Sequence, residues 1–258
     1  MDEGSHGRSH SFGPDGWPVD GLGPGACTLD MRRRVLGSVP YFTSLDEDDL
    51  AVVHASFHAV PMAAGSALVV EGEGADRFFV IASGRVKLQE TTATGGVHLL
   101  DVLGPGGSFG ALPLLGQARN EVGAEALTGG CLLVASAQEF GGIVRAFPAV
   151  ALAVLEAVAS RLRDAQVRLR DAGTSSVEAR LARSLLTLSE RLGRPEQAGA
   201  GRTLGAPLSQ EDLAALTGST LETVNRVLAQ WRARGMVTTG RRRLTLVDLP
   251  ALHEVAEG

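Results

Sequence analysis

The chain has 258 residues, 44% of them hydrophobic and 21% charged, with a formal net charge of −5. That length exceeds one ordinary compact domain and that composition supplies more than one core, so two folded units are expected. No run of about eighteen apolar residues and no basic-then-apolar N-terminus is present, which argues against membrane insertion and secretion and makes a cytoplasmic location the expectation.

Two cysteines, Cys27 and Cys131, are too few for an iron–sulfur cluster or a Cys-rich zinc site, and Cys131 reads as a buried apolar residue. The charge is unevenly placed. Residues 1–147 carry 9 Lys/Arg against 17 Asp/Glu, whereas residues 174–248 carry 11 Arg against 7 Asp/Glu. A basic C-terminal part beside an acidic one suits a polyanion-binding domain joined to something else.

In chain order, residues 1–28 are rich in Gly, Ser, Pro and His without periodicity and are expected to form a disordered extension. From Asp30 to about Val60 the pattern is helical, with acids clustered in the first turn of "LDEDDLAVVHASF". His54 and His58 would then stand one helical turn apart; no third ligand accompanies them, so no metal is expected. From Pro61 to Glu139 the texture changes to short β runs such as "ALVVEG", "RFFVIASG" and "CLLVAS". Gly-containing turns separate them at about ten-residue spacing, which indicates an all-β barrel or roll. His98 falls in one of these runs.

Helical periodicity then returns. Small or apolar residues at Ala151, Leu155, Val158, Leu162, Ala165, Leu169 and Ala172 form a heptad seam with charges around it. A helix packed on its own sensor domain would show a similar stripe; a dimer helix is the favoured reading, with Leu155, Val158, Leu162, Ala165 and Leu169 at the interface. Gly173 and the following "TSS" mark a hinge. A further helix, about Val177 to Leu192, leads into the loop "GRPEQAGAGRTLGAP".

Next comes "LSQEDLAALTGSTLETVNRVLAQW". Ser209 is a good N-cap with Asp212 three residues on, and Leu213 and Leu216 supply the inner face of a short helix. Thr217-Gly218-Ser219 makes a turn. The second helix buries Val224, Val227, Leu228 and Trp231, leaving Leu221, Glu222, Asn225, Arg226 and Gln230 on the opposite face. A helix-turn-helix needs this arrangement, because residues at the start of its second helix must reach base edges while its apolar stripe packs on the first. Arg226 can span guanine O6 and N7, and Glu222 can accept from cytosine N4. Two merely packed helices would carry the same stripe, and Ser219-x-x-Glu222 is itself a capping-box pattern. The segment that follows, "GMVTTGRRRLTLVDL", reads as two β runs around a turn bearing Arg241, Arg242 and Arg243, a wing suited to phosphates. Gln210, Thr220 and Thr223 complete the candidate DNA contacts.

The order of parts resembles the CRP/FNR family of bacterial transcription regulators. The resemblance covers most of residues 30–250 and rests on "EGEGADRFFVIASGRVKL", "LGPGGSFGALPLL", "ASRLRDAQVRLRD" and "LSQEDLAALTGSTLETVNRVL". It implies an α+β fold with an N-terminal cyclic-nucleotide-binding-like β-roll sensor, a long dimerisation helix and a C-terminal winged helix-turn-helix. The corresponding units are an extension at 1–28, the sensor at 29–147, the dimerisation helix at 148–172, the DNA-binding domain at 173–250 and a tail at 251–258. It further implies a homodimer on a palindromic operator, with RNA polymerase as a further partner, and no enzymatic activity.

The family's phosphate-contacting N-cap falls on Ser209 and its base readers on Leu221, Glu222 and Arg226. Leu221 departs from the arginine of many members and offers only apolar contact. In the sensor, the resemblance points to an effector pocket at Gly107, Phe109, Gly110, Ala111, Leu112, Arg119, Asn120, Ala165 and Gln166. The family's ribose-binding glutamate and phosphate-binding arginine are replaced by Ala111 and Asn120, although Arg119 is adjacent. Its adenine-contacting hydroxyl positions hold Ala165 and Gln166. Poor cAMP binding is therefore expected, because burying a phosphate without a matching charge is unfavourable, and a nucleotide-like small molecule is the candidate effector. A ligand-independent DNA binder, or a ligand-binding module whose C-terminal part mediates protein contacts, are the alternatives.

Overall fold

The computed structural model describes residues 27–92, 95–110, 118–195 and 201–258. The extension inferred for residues 1–28 thus lies outside the described residues, except for Cys27 and Thr28. Thr28 caps α1 (Leu29–Ser38) by accepting from the Met31 N–H, and Asp46 does the same for α2 (Glu47–Ala55) through the Asp49 N–H. The helical reading up to Val60 ends too late. The chain leaves α2 at Ser56 and enters β1 (His58–Met62), whose side chains alternate with Val60 and Met62 inward. His58 is therefore on a strand, not a helical turn from His54: the segment pairs along its whole length with residues 130–134, and alternate residues face the core.

The roll is two four-stranded antiparallel sheets. One runs β1, β8 (Gly130–Ser136), β3 (Arg77–Ser83) and β6 (Ser108–Phe109); the other runs β2 (Ala67–Val69), β7 (Gly123–Ala126), β4 (Val86–Thr91) and β5 (Val97–Leu103). Their inner faces enclose Phe79 stacked on Phe109 at 4.8 Å between ring centroids, with Ile81, Val86 and Leu132 around them. The outer face of the first sheet packs on α1, α2, α3 (Ala137–Ala146) and the start of α4 (Pro148–Thr174), and Phe78 stacks on Phe140 at 4.0 Å. Cys131, in that layer, is not a free apolar residue: it is disulfide-bonded to Cys27.

The helix α4 continues past Gly173, and the chain breaks instead at Ser175–Ser176, where Ser176 caps α5 (Val177–Leu192) by accepting from Ala179 N–H. A glycine in a helix is disfavoured but permitted; a serine that can satisfy an unpaired N–H decides where the next helix starts. Then come β9 (Arg194–Pro195), β10 (Arg202–Thr203), α6 (Gln210–Thr217), α7 (Leu221–Ala233), β11 (Val237–Gly240), β12 (Arg243–Leu246) and α8 (Leu249–Glu257). The strands β11-β12-β10-β9 make a third antiparallel sheet. Residues 251–258 are therefore no tail: Pro250 sits in the first turn of α8 and Leu252 and Ala256 are buried in the core that includes α5. Among the described residues no single helix is long and apolar enough to cross a membrane.

The C-terminal core is not closed on itself. Leu99 and Val102 of β5 belong to the same buried cluster as Leu185, Leu213, Val224 and Trp231. The sensor's β4–β5 hairpin thus forms one wall of the helix-turn-helix.

Candidate nucleic-acid interface

The first helix of the motif is fixed at both ends. Ser209 Oγ accepts from the Asp212 N–H at 3.0 Å while the Asp212 carboxylate accepts from the Ser209 N–H at 2.9 Å, a reciprocal cap. At the other end Gly218 adopts φ 59°, the left-handed conformation a side chain resists, and its N–H closes on the carbonyls of the last turn. That turn sets α7 across α6. Val224, Val227, Leu228 and Trp231 are buried, and the Trp231 indole N–H donates to Glu178 Oε1 of α5 at 2.7 Å.

The start of α7 is therefore presented outward. Thr220 is its N-cap, with Oγ1 accepting from the Thr223 N–H at 3.2 Å. The capping box anticipated for Ser219 and Glu222 does not form, since the cap has moved one residue on and its partner three positions later is Thr223. Leu221, Glu222, Arg226 and Gln230 are exposed, and Asn225 is half-buried with an Oδ1 that lacks a hydrogen-bond partner. Gln210 is exposed beside the half-buried Ser209.

Beyond α7, the wing pairs Gly240 with Arg243 across the two-residue loop Arg241-Arg242. All three arginines are exposed, and Arg242 holds φ 53°. Arg232 at the end of α7 donates to Thr239 Oγ1 of β11 at 3.2 Å, which clasps the wing to α7. Neither this clasp nor the strain at Arg242 was visible in the residue pattern.

A sensor contact reaches the motif directly. Lys87 Nζ of β4 lies 3.1 Å from Asp212 Oδ1 and 3.4 Å from Glu125 Oε2, with its side chain only 14% exposed. Arg191 of α5 makes a fork on Asp101 of β5 at 2.9 and 3.2 Å. A cleft of about 460 Å³ beside this seam is lined by Val97 and His98 of the sensor and by Glu211, Ala214, Gly218 and Leu221 of the motif. Lys87 and Asp212 are 125 residues apart, so no local sequence signal could pair them.

Several of the residues proposed for the effector pocket are engaged within the fold. Phe109 is consumed in the stack inside the roll. Arg119 Nη1 donates to the Gly72 carbonyl at 2.7 Å and Asn120 Nδ2 to the Gly74 carbonyl at 3.1 Å, so both tie down the turn after β2. Gly107 and Gly110 flank β6; Ala165 and Gln166 are exposed on α4, a separate element. Ala111 and Leu112 lie outside the described residues. On α4, Leu155, Val158, Leu162 and Ala165 are exposed, as is Leu152, a large apolar residue beside the seam's first position that the heptad spacing does not include. The side chain of Leu169 is outside the description.

Residues 59–147 match the family model of the cyclic nucleotide-binding domain, and residues 179–255 that of the Crp-like helix-turn-helix domain. The chain is 30% identical over 224 residues to the cyclic AMP receptor protein of Thermus thermophilus, covering 85% of this chain and 97% of that protein. It is 27% identical over 215 residues to the CRP-like cAMP-activated global transcriptional regulator of Mycobacterium tuberculosis, covering 83% and 95%. A crystal structure of a CRP/FNR-family transcriptional regulator from Thermus thermophilus, 28% identical, superposes with a TM-score of 0.64 over 78% of this chain and 99% of that one. With the roll, the long helix and the winged helix-turn-helix in that order and relatives matched over nearly their whole length, the chain belongs to the CRP/FNR family of DNA-binding transcription regulators and is not an enzyme.

Proposed function

We propose that the chain acts in the cytoplasm as a homodimeric, sequence-specific regulator that reads a palindromic operator and engages RNA polymerase from there. The observation that carries this reading is the outward polar start of α7, held rigid by the capped α6, the Gly218 turn and buried Trp231. Arg226 and Glu222 are assigned to base edges, with the neighbouring Asn225 as a third reader. Leu221 contributes apolar contact. Ser209, Gln210, Thr220, Thr223 and the wing arginines Arg241, Arg242 and Arg243 are assigned to phosphates, which supply affinity and register with little sequence information.

Dimerisation is supported by α4. Leu152, Leu155 and Leu162 are 63%, 65% and 59% exposed in the single chain. Burying a leucine contributes about 1.5–3 kcal/mol, so a second copy on this seam would be strongly held. Two recognition helices so joined would enter successive major grooves at half-sites about 34 Å apart.

For the sensor we infer a nucleotide-like effector other than cAMP. The residue in register with the family's phosphate arginine is Asn120, and neighbouring Arg119 already serves the Gly72 carbonyl. Any ligand that moves the β4–β5 hairpin would shift α6 through Lys87, and it acts as a switch only if it binds the two arrangements unequally. The engagement of Arg119 also favours a second reading, DNA binding without an effector.

Selection from a randomised duplex pool, followed by sequencing, tests the main reading. An inverted repeat is expected; salt-sensitive binding with no preferred sequence would count against it. Thermal shift with cyclic mononucleotides and dinucleotides separates the two sensor readings, since a ligand of the folded state raises Tm.

A further inference from the structure

The Cys27–Cys131 bridge joins Cα atoms 6.2 Å apart and 104 residues distant along the chain. Its two ends sit in different surroundings. Cys131 is fully buried in β8, opposite Pro61 of β1 on one side and Ser83 of β3 on the other. Cys27 is half-buried at the entry to α1, beside the capping residue Thr28.

Beyond the bridge, α1 is anchored unevenly. Its second half holds on through Leu36, which is fully buried, and Val39 just past its end is buried too. Its first turn is held more weakly: Leu29 is 62% exposed, Asp30 is exposed, and Met31 is only half-buried against the same core. The disulfide is the one covalent tie, added to the half-buried Met31, that fastens that turn to the sensor sheet among the described residues.

A DNA regulator works in a compartment where thiols are kept reduced, and disulfides there are transient, catalytic or redox-sensing. We propose that Cys27–Cys131 is a reversible thiol–disulfide couple, exchanged with low-molecular-weight thiols and disulfides, that fastens and releases the first turn of α1. The proposal rests on the regulator reading only for the compartment that reading implies.

Exchange proceeds from the accessible end. An external dithiol's thiolate attacks Cys27 Sγ; the protein's S–S bond breaks, Cys131 leaves with the electron pair and takes a proton, and a mixed disulfide remains on Cys27. The reagent's second thiolate attacks its own sulfur in that mixed disulfide and expels Cys27, which takes the second proton. Two electrons have passed from the dithiol to the protein. The reverse uses a disulfide such as glutathione disulfide, which is reduced to two glutathione molecules while the protein's two thiols are oxidised.

The basic run Arg32-Arg33-Arg34 within α1 provides a built-in reporter, because trypsin cleaves there only when the helix opens. The full-length protein is reduced natively with dithiothreitol, alkylated and exposed to trypsin. Expected are alkylation at Cys27, cleavage at Arg32–Arg34 faster by about tenfold than in the oxidised protein, and full reversal by glutathione disulfide when alkylation is omitted. A Cys27→Ser variant should be cleaved fast whether or not reductant is present. A bridge that yields to dithiothreitol only in denaturant, or cleavage unchanged on reduction, overturns the proposal. Binding to the selected duplex is measured on the same samples: protein that switches its cleavage but binds no DNA refutes the regulator reading alone, and protein that binds DNA with an unresponsive α1 refutes the couple alone.

Discussion

Replacing Lys87 by methionine tests whether the sensor and the helix-turn-helix are joined as described. The ammonium stands between Asp212 and Glu125 at 3.1 and 3.4 Å, and both Lys87 and Asp212 are 14% exposed. Removing it leaves two carboxylates facing each other in a seam that largely excludes water. Breaking a fully buried pair costs about 3–5 kcal/mol, and a hydrogen bond to a charged group contributes about 1.5–3 kcal/mol. Glu125 is 33% exposed and can regain water, so we expect about 2 kcal/mol for Lys87→Met. In a chain of this size that lowers Tm by about 4–8 °C. Asp212→Asn keeps an oxygen to accept the Ser209 N–H, so the cap survives and a double-mutant cycle isolates the bridge. Urea unfolding followed by tryptophan fluorescence and far-UV circular dichroism should give a coupling of about 1 kcal/mol or more. A coupling below about 0.3 kcal/mol would refute the joint, because independent sites add within that margin.

Three further predictions concern separate parts of the molecule. Arg242→Gly at the wing tip should raise stability by about 1 kcal/mol, since φ 53° disfavours a side chain, while reducing the slope of log affinity against log salt by about one unit per subunit; an unchanged slope would show that Arg242 touches no phosphate. Leu155→Glu with Leu162→Glu should yield a monomer by light scattering at micromolar concentration with the fold intact; a persistent dimer would place the interface elsewhere. His54 is held below its ordinary pKa by burial first, then by Arg33 and Arg32. The folded state therefore prefers the neutral imidazole: this contribution to stability is complete above the ordinary value of 6.5 and is lost as pH falls from there through the folded value. Arg33→Gln should raise the His54 pKa in an NMR titration and narrow that window, and an unmoved titration would mean that the arginine does not act on it.

Periodicity made the helix-turn-helix legible before any coordinates. The residues of α7 that the stripe assigned to the inside, Val224, Val227, Leu228 and Trp231, are the buried ones, because a 3.6-residue repeat has one way to face a core. Ends of elements were less legible. Thr220 and Ser219 are both competent caps, and only the Gly218 turn decides between them; Ser176 competes in the same way with Gly173 for the end of α4. At His58 the helical reading ran too far, because what makes "HAVPM" a strand is its pairing with the distant β8. Pairings between distant residues left no local trace at all. Lys87 with Asp212, Arg191 with Asp101 and Cys27 with Cys131 depend on topology, and the C-terminal α8 lacked a visible partner until α5 was placed against it.

The central claim is that the start of α7 reads bases. Its most direct test is a binding profile of Arg226→Ala against every single-base variant of the selected operator, beside the unaltered protein at fixed salt. The account predicts that preference disappears at one base pair in each half-site, a loss of about 1–3 kcal/mol there, while discrimination at the other positions is retained. Equal weakening on every sequence, with the preference at each position unchanged, would contradict it and make Arg226 a phosphate contact.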